Sequence, residues 1–345
     1  MKGPLSFGRK REWLARGMLC CGITYLLNQL PARDSLLVLN YHRIGNSEDE
    51  PFDSGLFSAT ASQFDEQIAY LKKHLSPVTL DEALSFVEGT TKEISPRCRV
   101  LITLDDGYLD NYEIAYPILR SHGMQGVFFL VTGMVGSRTL PWWDQIAYLV
   151  KTAQKRQFSL HYPANKTINL DVDGLSKSIE SILKLYKMPE NTDPARFLQE
   201  LEEEARGESA PVIRRRFLNW DEAGEMIRGG MAIGSHTHSH RVLSQLDAEQ
   251  QYEELSQSRD LLKKHLGINA EVLSYPVGGR TSFTAQTQLL VRQAGYRAAI
   301  SHDGGWNLPG KTCVTDIKRN KIVRQSRERF RVQAATCRFS GAFWP

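Results

Sequence analysis

The stretch "RVLITLDDGYLDNY", residues 99–112, decides the predicted fold. Its first six residues are mostly apolar and do not alternate in polarity, which is typical of a strand buried on both faces of a parallel sheet. Two neighbouring carboxylates, Asp105 and Asp106, follow that run, and Gly107 comes directly after them. An isolated pair of this kind is also common at a turn or a helix N-cap, so its meaning depends on the rest of the chain.

The surrounding chain repeats the pattern of a strand followed by a helix. Further strand-like runs lie at residues 35–45, 126–136, 231–236, 270–279 and 296–305. Segments with helical spacing lie between them, as in Phe64, Ile68 and Leu71. Because the strands are apolar on both faces, we expect a parallel sheet covered by helices. The predicted fold is α/β: a distorted or incomplete (β/α) barrel of about seven strands with a helical insertion.

The domain organisation follows from where this rhythm breaks. Residues 138–216 are charged or helical without intervening parallel strands, and we interpret them as a helical insertion on the barrel rim. The barrel itself is assigned to residues 35–137 and 217–345, and residues 1–34 form a basic and apolar N-terminal helix. The sequence leaves open whether the insertion is a lid, a partner surface or a membrane contact.

Composition excludes several classes of protein. The 345 residues are 41% hydrophobic and 24% charged, which excludes wholesale disorder. The net charge of +4 comes without zinc-finger spacing or interleaved aromatic and basic residues, so we expect no nucleic-acid partner. The five cysteines form no CxxC pair, which argues against a disulfide framework and a cysteine zinc site and favours reduced thiols.

The N-terminus carries the basic excess, with six basic residues and one acidic residue in positions 1–33. The uncharged segment 17–32 is shorter than the roughly 20 residues that a membrane span needs. It fits a helix that lies on a membrane or docks on the domain, and an uncleaved anchor or export signal is the alternative. We therefore expect a cytoplasmic or membrane-associated protein and leave export open.

Reactive side chains follow four of the predicted strands. In parallel α/β barrels, functional groups lie at the carboxyl ends of the strands, so side chains at several strand ends predict one shared site. These candidates are His42, Asp105 with Asp106, His236 with His240, and the turn "SYPVGG" at 274–279.

The histidines in "GSHTHSH", residues 234–240, point to a metal. His236 and His240 would converge on one face if the chain were helical after Gly234. With a carboxylate from another strand they form a three-ligand divalent site that leaves one position open, as catalytic sites do. We predict zinc, with Co²⁺ and Ni²⁺ as alternatives. A polar loop with exposed histidines is the other interpretation, and His238 is not expected to be a ligand.

The two aspartates are then expected to have different roles. Neighbouring side chains at a strand end diverge, so one carboxylate can hold the ion while the other takes a proton from water whose pKa the ion lowers.

Three motifs together resemble the polysaccharide deacetylases of carbohydrate esterase family 4, which have the NodB-homology fold. They are "TLDDG" at 103–107, "GSHTHSH" at 234–240 and "LSYPVGG" at 273–279. The resemblance covers roughly residues 35–137 and 217–300. It implies removal of the acetyl group from an N-acetylated sugar, with water attacking the amide carbonyl.

The resemblance also implies roles for individual residues. Asp105 would be the catalytic base, the backbone N–H of Val277 would stabilise the oxyanion, and Tyr275 would line the sugar cleft. The implied metal ligands are Asp106, His236 and His240.

The chain departs from the common family pattern at two places. Ser274 stands where an arginine usually orients the base, and Arg280 is the candidate replacement. No C-terminal Leu-x-His motif is present to supply the general acid. However, "LNYHRIG" at 39–45 resembles the N-terminal strand of the deacetylases that act on poly-N-acetylglucosamine. We therefore predict His42 as the acid, the alternative being a buried structural histidine.

The predicted function is that of a metal-dependent hydrolase. It would remove N-acetyl groups from a cell-surface or exopolysaccharide of the N-acetylglucosamine type, or from its precursor. Hydrolysis of a small non-sugar C–N bond and a non-catalytic glycan-binding role are the alternatives. Candidate sugar platforms are Trp142, Trp143, Trp220 and, as the favoured one, Trp306.

Overall fold

The computed structural model describes residues 5–30, 34–48, 50–91, 94–208 and 215–340. The strands are β1 (Leu36–Tyr41), β2 (Arg43–Ile44), β3 (Phe57–Ala59), β4 (Ser76–Pro77), β5 (Arg99–Leu104), β6 (Gly126–Leu130), β7 (Gln157–Leu160), β8 (Lys166–Asn169), β9 (Ala232–Ser235), β10 (Val272–Ser274), β11 (Ala298–Ile300) and β12 (Asn320–Lys321).

A parallel sheet forms the centre of the molecule. Its strand order is β11–β10–β9–β6–β5–β1–β12, and β4 pairs with the start of β5. A parallel backbone bridge between Ile300 and Ile317 connects the end of β11 to the segment before β12. The sheet therefore curves into a distorted (β/α) barrel, which confirms the predicted fold class.

Strand β1 shows why the predicted strands do not alternate in polarity. All six of its residues are buried. Leu37 and Leu39 belong to one apolar cluster, whereas Leu36 and Val38 belong to another on the opposite face of the sheet. Because helices cover both faces, each residue of the strand must be compatible with a core.

Helices surround the sheet and fill the connections. They are α1 (Leu5–Cys20), α2 (Ile23–Gln29), α3 (Ala61–His74), α4 (Leu80–Val87), α5 (Tyr116–Ser121), α6 (Trp142–Lys151), α7 (Leu170–Asp173), α8 (Leu175–Tyr186), α9 (Pro194–Ala205), α10 (Trp220–Arg228), α11 (Ala248–Leu266), α12 (Ala285–Gln293) and α13 (Arg327–Ser340). A π-helical turn at Asn111–Ala115 precedes α5, and 3₁₀ turns lie at Ser54–Leu56 and Leu243–Gln245.

The predicted insertion contains α6 to α9 and also an antiparallel hairpin of β7 and β8. The prediction of an all-helical insertion missed this hairpin, because each strand has only four residues and its alternation is too short to be distinctive. Phe158 and Ile168 from the two strands join an apolar cluster with the insertion helices. Tyr108 and Phe217 of the barrel belong to the same cluster, so the insertion packs on the barrel.

The N-terminal segment forms two helices instead of the one predicted, because the chain turns at Gly22, where φ is 70°. The side chain of Asn28 donates a hydrogen bond to the Tyr70 hydroxyl at 2.8 Å. The Ser326 hydroxyl, next to α13, donates to Glu12. Among the helices that the structure describes, none has the length and apolar character that a membrane span requires. Of the five cysteines, Cys98 and Cys337 are buried, and Cys20, Cys21 and Cys313 are exposed.

Candidate active site

The four predicted strand ends meet around one cavity of about 120 Å³ at the carboxyl edge of the sheet. Among the predicted site residues, those that line it are His42, Asp105, Asp106, His236, His240 and Val277. Tyr275 and Trp306 do not line it. Helix α8 of the insertion and strand β12 complete the wall with Leu183, Lys187 and Lys321.

The candidate metal ligands lie together in the buried part of this cavity. Nε2 of His236 and Nε2 of His240 each lie 3.6 Å from Oδ1 of Asp106. A tetrahedral ion bonded to three atoms at about 2.1 Å separates those atoms by about 3.4 Å. The spacing is therefore too long for hydrogen bonds but fits three ligands around one ion.

Electrostatics also favour a cation at this position. Burial raises the pKa of Asp106, and the neighbouring carboxylates of Asp105 and Asp144 add to that shift. Burial lowers the pKa of both His236 and His240, which keeps the imidazoles neutral, as metal ligands must be. A divalent cation would offset the repulsion between the carboxylates without competing with protons for the histidines.

The backbone of Ser274 fixes the orientation of His236. The His236 Nδ1–H donates to the Ser274 carbonyl at 2.8 Å, which leaves Nε2 with its lone pair directed toward Asp106. The turn after β10 therefore contributes to the site through a main-chain oxygen.

The segment between the two histidines is a loop, so their side chains do not converge through a helical turn after Gly234. Thr237 and His240 adopt left-handed φ values of 63° and 59°, and these bring the two imidazoles together. The buried carboxylate of Glu254 on α11 stabilises this loop by accepting the N–H groups of His238 and Ser239 at 3.0 and 2.8 Å. His238 points away, since its Nδ1 lies 3.2 Å from the Thr132 hydroxyl.

The "DDG" motif has an unusual backbone conformation that separates its two carboxylates. Asp106 has a φ of 74°, which turns its carboxylate away from that of Asp105 and toward the histidines. Gly107 has the same φ, and a Cβ on it would lie 2.8 Å from the Leu130 side chain. Non-glycine residues with positive φ are rare, and such strain is typical of functional sites. Val277, at 64°, is a third example in this cavity.

Two tryptophans at the start of the insertion pack against the loop of His240. The Trp143 ring contacts the His240 ring edge-on at a centroid distance of 4.5 Å. The Trp142 Nε1–H donates to the His240 carbonyl at 3.3 Å. The insertion thus helps to position a candidate ligand. Both tryptophans line the cavity, whereas Trp220 stacks on His265 and lies outside it.

Asp105 forms a bidentate ion pair that the sequence did not predict. The fully buried guanidinium of Arg319 donates to Oδ1 and Oδ2 of Asp105 at 2.7 and 2.9 Å. Burial alone would raise the pKa of Asp105, but Arg319, with His236 and His42, lowers it well below its usual range. Asp105 is therefore held as an ionised carboxylate.

Arg319 compensates for the serine at position 274. Its Nη2–H also donates to the Ser274 hydroxyl at 2.8 Å, so the guanidinium occupies the space beside the residue that departs from the family pattern. The expected replacement, Arg280, is exposed and pairs with Asp303 at 3.1 Å, so that expectation was wrong. The positive charge beside Asp105 therefore comes from the segment before β12.

A second cluster contains His42, Asp105 and His302, and their ligand atoms lie within 4.8 Å of one another. This cluster does not suit a metal, because Arg319 uses both oxygens of Asp105. His302 is engaged as well, since Nδ1 lies 3.1 Å from the Val277 carbonyl and Nε2 lies 2.5 Å from Nδ2 of Asn40.

His42 faces the same cavity with an unoccupied nitrogen. Its main chain is fixed by Ser58, which accepts its N–H, and by Asn111, which donates to its carbonyl. Within the described residues its Nδ1 has no hydrogen-bond partner. Burial lowers the pKa of His42, and the charge of Asp105 opposes this shift.

Two predicted substrate residues do not reach the cavity. Tyr275 is buried in the core, where it stacks on Phe283 and donates from its hydroxyl to the Thr315 carbonyl at 2.9 Å. Trp306 donates from Nε1 to the Cys337 carbonyl at 2.9 Å, against α13. Their expected contact with sugar is therefore not supported. Val277 does line the cavity, and its N–H donates no hydrogen bond within the described residues.

Comparison with known proteins agrees with this geometry. The polysaccharide deacetylase family matches residues 92–299, which include both aspartates, both histidines and the turn at 274–279. The chain belongs to this family. It is therefore a hydrolase that acts on carbon–nitrogen bonds other than peptide bonds.

Two kinds of relative are similar to this deacetylase. The poly-beta-1,6-N-acetyl-D-glucosamine N-deacetylase of Staphylococcus aureus (strain MSSA476) is 33% identical over 169 residues, which are 46% of this chain and 56% of that protein. The deacetylase thus spans little more than half of that relative. IcaB from Ammonifex degensii aligns with a TM-score of 0.56 at 19% identity, over 90% of this chain and 100% of that one.

The Streptococcus pyogenes deacetylase PplD, solved in complex with acetate, has the same TM-score at 18% identity, covering 88% of this chain and 99% of that one. At such identities these two structures show a shared fold.

Proposed function

We propose that this polysaccharide deacetylase is metal-dependent and removes N-acetyl groups from a polysaccharide of the N-acetylglucosamine type, or from its precursor. The observation that carries the proposal is the arrangement of Asp106, His236 and His240 beside the separately held carboxylate of Asp105. Two imidazoles and one carboxylate are a typical donor set for catalytic zinc, and Co²⁺ or Ni²⁺ would suit it too. The name of the Staphylococcus aureus relative supports the choice of sugar.

The residues of the chain divide the chemistry among them. A divalent ion, when bound, lowers the pKa of water and polarises the amide carbonyl. Asp105, kept ionised by Arg319, accepts the proton of the attacking water. The Val277 N–H donates a hydrogen bond to the oxyanion of the tetrahedral intermediate. His42, once it has taken up a proton from solvent, gives it to the leaving nitrogen, so that the sugar departs as an amine and acetate remains, and Asp105 returns its proton to solvent.

Acetate release with three matched variants tests this function. Purified protein is incubated with an N-acetylglucosamine oligomer and Zn²⁺, Co²⁺ or Ni²⁺, and acetate and protein-bound metal are both measured. Asp105→Asn should abolish acetate release and keep the metal. His240→Ala should lose both. His238→Ala, two residues away and outside the cavity, should behave like the native protein.

Two results would contradict the proposal. Acetate release that persists after the metal has been removed by a chelator would show that the reaction does not need the ion. Turnover of small amides without turnover of any glycan would show that the substrate is a non-sugar C–N compound.

We further propose that the N-terminal helices hold the enzyme at the surface of an anionic membrane. Trp13, Tyr25 and Leu26 are 74%, 66% and 63% exposed, although they lie on helices docked beside α13. The basic residues of positions 1–33 surround them in the sequence. Exposed aromatic and aliphatic side chains next to basic ones are typical of helices that bind anionic lipid surfaces.

Vesicle co-sedimentation tests this attachment. The protein should bind vesicles containing phosphatidylglycerol more strongly than vesicles of phosphatidylcholine alone. A Trp13→Ser, Leu26→Ser double variant should lose this binding. Val172→Ser, which removes an equally exposed apolar side chain from the insertion, should keep it. Equal sedimentation of the double variant and the native protein would contradict the proposal.

A further inference from the structure

The cavity of the active site opens into a second cleft of about 570 Å³ along α8. The two spaces share five lining residues, which we call the neck: Asp53, Leu56, Leu183, Lys187 and Lys321. Any substituent of the substrate that lies between the reacting acetamide and the second cleft must pass these residues.

Two lysines of the neck form no close ion pair within the described residues. Within the described residues, no carboxylate lies within 4.0 Å of Lys187 or Lys321, whereas Lys184, one turn earlier on α8, pairs with Glu180 at 2.7 Å. Lys187 is half-buried, and its Nζ lies 5.7 Å from the centre of the Trp142 ring. Lys321 is exposed at the end of β12.

The charges at the neck add up to an unbalanced positive potential. Burial, and then the charge of Lys321, lower the pKa of Lys187 to about 8, so it is still mostly protonated at neutral pH. Asp53 is the one neck carboxylate opposite these two lysines. Burial raises its pKa, although the Gly55 N–H that it accepts at 2.8 Å and the charges of Lys187 and Lys321 oppose the shift. An oxyanion placed between the lysines would form charge-assisted hydrogen bonds and relieve the repulsion between the two ammonium groups.

We propose that Lys187 and Lys321 bind an oxyanion, phosphate or carboxylate, that the substrate carries next to its acetylated sugar. The inference rests on the proposed deacetylation and narrows its substrate class, because a neutral N-acetylglucosamine polymer offers these lysines no charge. The oxyanion can be the phosphate of an activated or lipid-linked sugar, or the carboxylate of a neighbouring uronic acid. Beyond the neck, Leu175 and Ile179 line the second cleft and would contact the rest of the substrate.

Matched substrates test the inference with the full chain loaded with Zn²⁺. They are the methyl glycoside of N-acetylglucosamine, N-acetylglucosamine 1-phosphate, and a disaccharide of N-acetylglucosamine with glucuronic acid. At least one charged substrate should exceed the neutral one in kcat/KM by about tenfold or more, the size expected for a charge-assisted contact. Comparison of the phosphate substrate with the uronic acid substrate shows which of the two anionic groups the lysines bind. Calorimetry with the inactive Asp105→Asn protein should show the same order of affinities.

Variants of the two lysines test whether they cause the preference for charged substrates. Lys187→Met and Lys321→Met should each reduce the ratio of charged to neutral kcat/KM severalfold, and Lys187→Arg, which keeps the charge, should retain it. Lys177→Met, which removes an exposed lysine of α8 that lines neither space, is the matched control and should leave the ratio unchanged. Equal kcat/KM for charged and neutral sugars, or a preference that survives both methionine variants, would overturn the inference while deacetylation stands. Absence of acetate from every sugar would overturn the proposed function and the inference with it.

Discussion

Arg319 and Asp105 form a bidentate ion pair in which the guanidinium is fully buried and both carboxylate oxygens accept a hydrogen bond. The arginine comes from the segment before β12, whereas the family pattern leads one to expect an arginine at position 274, where this chain has a serine. The guanidinium still reaches Ser274, whose hydroxyl accepts an Nη2–H at 2.8 Å. An arginine from the segment before a different strand of the barrel can therefore fix the carboxylate of Asp105.

Arg319→Lys should lower kcat on the order of a hundredfold while KM and bound zinc change little. Lysine keeps a positive charge but cannot form the two parallel hydrogen bonds that orient the carboxylate. Steady-state kinetics measure kcat and KM separately, and metal analysis measures the bound zinc. Arg280→Lys is the matched control, since Arg280 is exposed and pairs with Asp303. An unchanged kcat in Arg319→Lys, or an equal loss in both variants, would contradict the positioning role.

His42→Gln should lower kcat for the glycan by about two to four orders of magnitude, as expected when a general acid is removed. Hydrolysis of an aryl acetate should be affected far less, because its phenolate leaves without protonation. His302→Gln should have the smaller effect on the glycan, since both nitrogens of His302 already have partners. If His302→Gln were the more damaging change, the acid would have to be reassigned to His302.

Trp143→Leu should weaken zinc binding by about tenfold, although Trp143 is not a ligand. Its ring packs edge-on against His240, and groups that orient a metal ligand typically contribute 10- to 100-fold to affinity. Competition with a chromophoric chelator measures the dissociation constant. Trp220→Leu, which removes a tryptophan stacked on His265, is the matched control. Equal zinc affinities in the two variants would show that the insertion does not position the ligand.

The candidate ligands were predictable because strand ends converge in a parallel barrel. This rule requires no knowledge of how each loop folds. Asp106, His236 and His240 line one cavity, as the rule predicts, although the chain after Gly234 is a loop. The same rule would have found His302, which directly follows the strand-like segment "YRAAIS". Trp306 was predicted as a sugar platform because it follows the end of the same predicted strand.

Other features of the site could not be predicted from the pattern. Arg319 precedes a strand of only two residues, in a polar segment with no periodicity that would reveal the strand. Tyr275 was assigned to the sugar cleft by its position in a motif, but the preceding Ser274 faces the site and Tyr275 packs beneath Phe283. Lys187 lies in the insertion, whose packing on the barrel depends on apolar contacts distant in sequence.

Asp144, on the first helix of the insertion, should make folding stability depend on pH. Its carboxylate is fully buried and accepts the Tyr108 hydroxyl at 3.0 Å and the Asp53 N–H at 3.1 Å. Burial raises its pKa from 3.8 to about 6, although Arg216 opposes the shift. Between these two values the native state binds more protons than the unfolded state, so the free energy of unfolding falls as pH rises. The shift of roughly two units corresponds to about 3 kcal/mol, lost between pH 4 and 6.

Asp144→Asn should remove this dependence, because the amide keeps the acceptor oxygen and has no charge to bury. The free energy of unfolding of the variant minus that of the native protein should therefore be about 3 kcal/mol larger at pH 7 than at pH 4. Urea unfolding of both proteins across that range measures the difference. Asp171→Asn, at an exposed carboxylate paired with Arg156, controls for the loss of a charge at the surface. If the free energies of unfolding of Asp144→Asn and the native protein differed by the same amount at every pH, the pH dependence would not come from the burial of Asp144.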